Sequence, residues 1–137
     1  MFRNGGAGDP MPGGTALGIG LFLIAAGVLL ILVGKRAVEG RLRQNHMVGI
    51  RTTLTLNSEI AWDAAHLAGG RRLMLSGYGP LTSGLLLFSQ PTNGVGAAIA
   101  FVGLGWMIGW ILAAAAIGER AAKAVLAGTD DIEIDPS

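Results

Sequence analysis

The sequence predicts an all-α membrane protein with three transmembrane helices and a short interfacial amphipathic helix between the first and the second. Three observations carry this prediction. Of the 137 residues, 51% are hydrophobic and only 14% are charged, whereas soluble domains carry about 25% charged residues. Two long runs, residues 16–34 and 73–118, contain no charged side chain. The polar residues between them are concentrated in one connector, residues 35–72.

The first predicted span covers residues 16–34. At about 1.5 Å of rise per residue, this run crosses a hydrocarbon core of roughly 30 Å. A cleaved signal peptide is the alternative, but the basic residues follow the run instead of preceding it, which favours a retained span. Residues 1–14 are rich in Gly and Pro and predict a flexible extracytoplasmic N-terminus.

The second uncharged run is too long for one helix. The stretch SQPTNG at 89–94 is a strong turn signal, so the run divides into spans at about 73–88 and 95–117. Pro80 predicts a kink in the second span. The alternative is a buried hairpin of a soluble protein, but nothing else in the chain is apolar enough to cover it. Residues 15–118 therefore form the predicted three-helix membrane domain.

The distribution of Lys and Arg predicts the orientation. Seven of the ten lie in the connector: Lys35, Arg36, Arg41, Arg43, Arg51, Arg71 and Arg72. The 89–94 turn has none, and the N-terminal segment has Arg3 alone. We expect a multi-pass protein of the cell membrane with the N-terminus outside and the connector and C-terminus in the cytoplasm. In the 119–137 tail, ERAAKAVLAG should extend the third span, and the acidic end should be disordered.

The start of the connector suits a membrane surface. Lys35, Arg36, Arg41 and Arg43 fall where anionic lipid headgroups would lie, and each such charge contributes on the order of 1 kcal/mol. Simple anchoring explains them, and a specific lipid or phosphate site is the alternative.

The rest of the connector predicts an extended segment and a short helix. Residues 50–56 are β-branched and extended in character. Asn57 or Ser58 should cap a helix that has Glu59 in its first turn. This helix should end at Gly69–Gly70. On a helical wheel one face is apolar, and the other carries Trp62 and His66. The apolar face comprises Ile60, Ala61, Ala64, Leu67 and Ala68.

Trp62 and His66 are spaced for contact on one helix face. The simplest interpretation makes Trp62 an interfacial anchor against which His66 packs. A zinc site would need more ligands, and the chain holds no cysteine and only two histidines, His46 and His66. A catalytic pair of Asp63 and His66 is the remaining alternative. We expect no catalytic residue, no cofactor and no metal.

Arg51 lies in the stretch GIRT, beside residues that order turns. An Arg in that setting is typical of an anchored guanidinium. We expect it to latch the connector by pairing with Glu59 or Asp63, and contact with a ligand or partner protein is the alternative.

These residues together resemble a family signature. The pattern Asn45-x-x-x-Gly49-Ile50-Arg51-Thr52, then Thr55-Leu56-x-Ser58-Glu59, then Trp62-x-x-x-His66-x-x-Gly69-Gly70 is similar to that of the SdpI family. This family comprises bacterial membrane proteins related to the immunity protein against the SdpC toxin, and this chain resembles a short, three-span form. By resemblance the signature residues are Asn45, Gly49, Arg51, Thr52, Glu59, Trp62, His66 and Gly70, with a structural or partner-contact role.

The resemblance implies a non-enzymatic protein of immunity to, or sensing of, a secreted antimicrobial peptide toxin. The alternative is a small structural or accessory subunit of a larger membrane complex, or a homo-oligomer. Two small-residue pairs, Gly14/Gly18 and Gly105/Gly109, have the spacing of close helix contacts. An enzyme or transporter is disfavoured because no acidic, basic or His residue lies in any predicted span. Nothing in the charge pattern indicates nucleic-acid binding.

Overall fold

All regular secondary structure among the described residues is helical, and one isolated β-bridge accompanies it. A computed structural model describes residues 5–133, and their side chains up to residue 130. It contains α1 (Gly13–Val38), α2 (Thr53–Asn57), α3 (Glu59–Leu87) and α4 (Asn93–Glu133). Two described helices, α1 and α4, are long and apolar enough to cross a membrane.

Helix α3 lies between α1 and α4 and packs against both. It runs antiparallel to each neighbour. Gly20 of α1 contacts Gly84, whereas Gly27 contacts Gly77; on the other side, Gly103 contacts Ser83 and Gly118 contacts Ala65. Small residues make these contacts, as is usual where helices associate inside a bilayer without a hydrophobic driving force.

The contact between α1 and α3 is a glycine seam with a seven-residue spacing. Its members are buried in both helices: Gly20, Gly27 and Gly34 of α1, and Gly70, Gly77 and Gly84 of α3. A Cβ added to Gly27 would lie only 2.6 Å from the carbonyl oxygen of Gly77. A Cβ on Gly84 would lie 2.6 Å from the carbonyl oxygen of Gly20. A seven-residue repeat keeps one stripe facing the partner, so the backbones meet along the whole seam.

The two small-residue pairs expected from their spacing do not lie on this seam. A Cβ at Gly14, Gly18, Gly105 or Gly109 would meet no atom within 4 Å. Those glycines face outward from the described bundle. The helix-packing glycines follow the seven-residue spacing instead of the four-residue spacing.

The predicted helix stop at Gly69–Gly70 is wrong, because α3 continues through both residues to Leu87. Both glycines are packing positions. A Cβ on Gly69 would lie 2.7 Å from the carbonyl oxygen of Ala114, and one on Gly70 would lie 2.9 Å from the backbone nitrogen of Val38. The intrinsic cost of Gly in a helix, about 1 kcal/mol, is offset by the close approach of the neighbouring helices. The short interfacial helix is therefore the first part of a longer one.

The predicted polar side of this first part, with Trp62 and His66, is buried in the bundle, and of the predicted apolar face only Ala61 is buried. Ile60 and Leu67 are 56% and 55% exposed, whereas Trp62 and His66 are 0% and 1% exposed. The buried stripe combines Trp62 and His66 with the small residues Ala61, Ala65 and Gly69. Trp62 and His66 contact the connector, whereas Ala65 and Gly69 contact α4, so hydropathy does not mark the buried face here.

The segment expected to be extended contains a short helix. Thr53–Asn57 form α2, which begins with a capping box between Thr52 and Thr55. The predicted cap of the next helix is confirmed: the Oγ of Ser58 accepts from the backbone N–H of Ala61 at 3.3 Å, and Glu59 lies in the first turn. The reciprocal cap of α2 and the Ser58 cap of α3 fix the two helix starts, although the residues of α2 favour strands.

The N-terminal segment is bound to the 89–94 turn. Backbone N–H groups of Met11, Asn93 and Gly94 donate to carbonyl oxygens across the two segments at 2.8–3.0 Å, and Pro10 forms an isolated antiparallel bridge with Thr92. Residues 5–12, expected to be flexible, thus have backbone hydrogen-bond partners in the turn. Residues 1–4 lie outside the described part.

Helix α4 extends through most of the predicted tail. The expected continuation over 119–128 is confirmed, and the helix runs on to Glu133. The acidic end predicted to be disordered is thus helical to that point, and residues 134–137 lie outside the described range. Ala114 and Ala122 of this half form one core cluster with Ile50, Ala61 and Ala65, so α4 supports the connector.

Candidate functional site

The candidate site is the 49–52 turn where it sits on α3 and α4. The side chain of Ile50 is buried and enters the crevice between the two helices. A Cβ on Gly69 of α3 would lie 2.5 Å from Ile50 Cδ1, and one on Gly118 of α4 would lie 2.9 Å from it. The two glycines therefore make the space that Ile50 fills.

His66 holds the backbone of this turn. Its Nε2 lies 2.8 Å from the backbone nitrogen of Ile50, and its Nδ1 lies 2.7 Å from the carbonyl oxygen of Trp62. A backbone N–H can only donate, so Nε2 is the acceptor and Nδ1 carries the proton. The geometry thus specifies a neutral imidazole with both nitrogens engaged.

The surroundings of His66 oppose its protonation. Burial lowers the pKa of His66 below the ordinary value of 6.5, outweighing the hydrogen bond to Trp62 and the carboxylate of Asp63, which both act to raise it. A cavity of about 100 Å³ lies beside the ring between Asp63, Leu42 and Ala37. The imidazole is therefore neutral, buried and close to a small opening.

Trp62 is a buried packing residue, so its predicted role as an interfacial anchor is wrong. Its ring stacks on that of His66, with centroids 4.1 Å apart and planes 29° apart. Its Nε1 donates to the carbonyl oxygen of Leu42 at 2.8 Å. Trp62 thereby ties α3 to the chain that follows α1, and the predicted packing of His66 against it is confirmed.

Polar side chains shape the rest of the connector. Asn45 Oδ1 accepts from the backbone N–H groups of Met47 and Val48 at 2.9 and 2.8 Å. Thr55 Oγ1 donates to the carbonyl oxygen of Ile50 at 2.8 Å and accepts from the backbone N–H of Thr52 at 2.9 Å. Both ends of the 49–52 turn are therefore fixed by side chains within the connector.

Gly49 is required by backbone conformation and by space. Its φ is +121°, and an added Cβ would collide with Nε2 of His66. We expect Gly49→Ala to lower the free energy of unfolding by about 1–3 kcal/mol from backbone strain alone, and further through the collision. Thermal unfolding in detergent measures this. Gly128→Ala is the control, because an added Cβ there meets no atom within 4 Å. Equal melting temperatures for the two variants would contradict the described turn.

The remaining signature residues separate into two groups. Gly70 packs against the end of α1, as a Cβ there would lie 2.9 Å from Ala37 Cβ. Arg51 and Glu59 are exposed. The ion pairs among the described residues are Arg41–Glu39 and Lys123–Glu119, so the expected latch between Arg51 and Glu59 or Asp63 is wrong. The turn is held by Ile50 and His66 instead, which leaves the guanidinium of Arg51 outward.

Both ring nitrogens of His66 are used in holding the connector to α3. Neither nitrogen of His66 is free to take a proton from a substrate or to bind a metal. Within residues 5–130, no three His, Cys, Asp or Glu side chains come together as metal ligands. What the site exposes is Arg51 in the 49–52 turn and, just before that turn, the side chain of Met47, which is 87% exposed.

Sequence reasoning missed several residues that hold the site. Ile50 and Thr55 were not singled out as contacts, and neither were Leu42 and Gln44. Gln44 Nε2 donates to the carbonyl oxygens of Thr55 and Leu56, at 2.8 Å each. The spacing Thr52-x-x-Thr55 was a usable signal for the cap. The partners of Gln44 and Leu42 depend on the path of the loop, which no local pattern encodes.

Comparison with known proteins gives one match. A model of the SdpI/YfhL protein family matches residues 41–117, which include the connector from Arg41 onward, α3 and the first half of α4. No curated protein and no solved structure matches the chain.

Proposed function

The chain belongs to the SdpI/YfhL protein family, and from this premise we propose a non-enzymatic membrane protein that gives immunity to, or senses, a secreted antimicrobial peptide. The observation that carries the proposal is the connector. Most of its signature residues are used in contacts within the fold, whereas Arg51 and Glu59 are exposed. A connector of this kind suits recognition and signalling better than catalysis.

The proposal includes three membrane spans, α1, the apolar part of α3 and the first half of α4. Gly34 contacts Met74, and Gly70 contacts Ala37 and Val38, so Lys35 and Arg36 lie level with Arg71 and Arg72. Below this level α3 is uncharged from Leu73 to its end. Residues 14–34 of α1 extend about 30 Å, the thickness of a hydrocarbon core.

The same register supports the proposed orientation. The basic level and the connector lie at one end of the bundle, and the uncharged 89–94 turn with residues 5–12 lies at the other. The positive end is cytoplasmic by the usual charge rule. We place the protein in the bacterial cell membrane, with Lys35, Arg36, Arg41 and Arg43 near anionic headgroups and the N-terminus outside.

A substitution of Arg51 tests whether the exposed surface of the connector is functional. We expect Arg51→Ala to leave the free energy of unfolding within about 0.5 kcal/mol of the original, as for other exposed substitutions, and to abolish protection. Melting temperature and survival under toxin are measured on the same variant. Arg43→Ala is the matched control, since Arg43 is also exposed in the connector and should retain protection. A destabilised Arg51→Ala protein would support the latch instead.

The function itself is tested genetically. Deletion of the gene should sensitise cells to at least one secreted peptide of a panel, and expression of the chain should restore resistance. Unchanged sensitivity over the whole panel would contradict the immunity role.

A second candidate function is an accessory subunit of a larger membrane complex. The observation that favours it is an open groove of about 370 Å³ on α4, lined by Gly105, Gly109 and Ala113 beside Trp106 and Trp110. This reading requires a stoichiometric partner on purification in mild detergent. Recovery of the chain alone as a monomer would eliminate it.

A further inference from the structure

The buried bond between the connector and α3 depends on one ionisable side chain. The 49–52 turn is held to α3 through the imidazole of His66, which accepts the N–H of Ile50 at Nε2 and is hydrogen-bonded to Trp62 at Nδ1. A second proton on the ring would sit on Nε2. Two N–H groups would then face each other where one hydrogen bond now exists.

We propose that His66 is a proton-operated latch whose protonation releases the 49–52 turn from the crevice between α3 and α4. Release withdraws Ile50 from between Gly69 and Gly118. It also moves Arg51, the next residue, so that proton concentration on the connector side controls how this guanidinium is presented. The inference does not rest on the immunity role.

The geometry gives the proton a route and leaves the ring few charged neighbours. The cavity of about 100 Å³ joins the imidazole to Asp63, which is exposed. Asp63 is the charged group of α3 that faces the ring. On the other sides of the cavity, α1 contributes Ala37 and the connector contributes Gly40 and Leu42. At this level α4 presents Ala114 and Gly118, which are also uncharged.

The sign of the effect follows from linkage. The native ring binds its proton less tightly than the unfolded one, since burial lowers the pKa of His66 below 6.5. The state in which the 49–52 turn is bound to His66 is thus fully favoured above that pH. Its free energy advantage over the released state decreases as the pH falls below that value. With one proton taken up, the ratio of released to seated turn rises by up to about tenfold per pH unit.

Distance measurement between two spin labels tests the latch in the full chain reconstituted in lipid vesicles. The chain has no cysteine, so Met47→Cys and Ala124→Cys place labels at exposed positions on the connector and α4. We expect a narrow distance distribution near about pH 7.5 and a broad one near about pH 5, with unchanged helix content by circular dichroism. An invariant distribution, or broadening that accompanies loss of helix, would overturn the proposal.

The two histidines supply the matched controls. His46→Gln should keep the pH dependence, because His46 is exposed in the same loop. His66→Gln should remove it, whether the turn is then held or released at both pH values. Loss of the response in His46→Gln, or its persistence in His66→Gln, would contradict the latch. If His66→Gln does not accumulate, the pH dependence of the distance distribution in the original chain and in His46→Gln is sufficient to test the proposal.

Discussion

Replacing Gly27 by isoleucine is expected to abolish the folded protein. The Cβ of any side chain at this position would lie 2.6 Å from the carbonyl oxygen of Gly77 and 2.7 Å from the backbone nitrogen of Leu81. Neither atom belongs to a flexible side chain, so α1 must move away from α3. The cost should reach or exceed the upper end of overpacking penalties, about 3 kcal/mol. Protein abundance in membranes and thermal unfolding in mild detergent measure the effect.

The control for this substitution lies on the same helix. Gly18→Ile places the same side chain where a Cβ meets no atom within 4 Å, on a face that the described bundle leaves open. We expect the unfolding free energy of that variant to change by no more than about 0.5 kcal/mol. Similar stability of the two variants would show that the seam is not the contact between α1 and α3.

Among substitutions in the connector and in the parts of α3 and α4 that contact it, Trp62→Ala should lower the stability most. The side chain is fully buried, stacks on His66 and donates to Leu42. Truncation of a buried aromatic side chain costs about 3–5 kcal/mol, and it also leaves the carbonyl oxygen of Leu42 without this donor. We expect a strongly reduced melting temperature in detergent.

Ile60→Ala is the matched control for Trp62. Ile60 lies two residues earlier on α3 and is a large apolar residue, yet it is 56% exposed. Its truncation should therefore change the melting temperature little. A larger effect for Ile60→Ala than for Trp62→Ala would show that Ile60, and not Trp62, lies on the buried side.

The buried side of this helix shows where sequence reasoning reached its limit. The uncharged runs predicted the spans of α1 and α4, and Ser58 with Glu59 predicted the start of α3, because these signals are local. The wheel placed Trp62 and His66 on the polar side of an interfacial helix and grouped Ile60 with Leu67 on the apolar side. Trp62 and His66 are instead buried by contacts with the connector, which the periodicity of α3 does not encode.

The glycines of α3 were also misinterpreted from the sequence. Gly69 and Gly70 have the sequence signature of a helix stop, and only the contacts with Ile50, Ala114 and Val38 explain why the helix continues. A seven-residue spacing of glycines in both helices was present in the sequence and would have identified the seam. The four-residue spacing of Gly105 and Gly109 instead marks an outward face of α4.

The candidate site could be located from sequence, but its internal bonds could not. Gly49, Trp62 and His66 lie against one another, and the packing of His66 on Trp62 was predicted. The hydrogen bond from Ile50 to His66 joins residues 16 apart in the chain through a loop whose path depends on α4. Arg51 was expected to pair with a carboxylate, yet the turn is already fixed by uncharged contacts, so the guanidinium remains outward.

The most direct test of the account is whether α3 crosses the membrane. Ser89 and Met47 lie at opposite ends of α3, are exposed, and can each be replaced by cysteine in a chain that has none. With a membrane-impermeant maleimide, Ser89→Cys should be labelled in intact cells, and Met47→Cys only after the membrane is permeabilised. Labelling of both positions from the same side would contradict the three-span arrangement and the cytoplasmic placement of the connector.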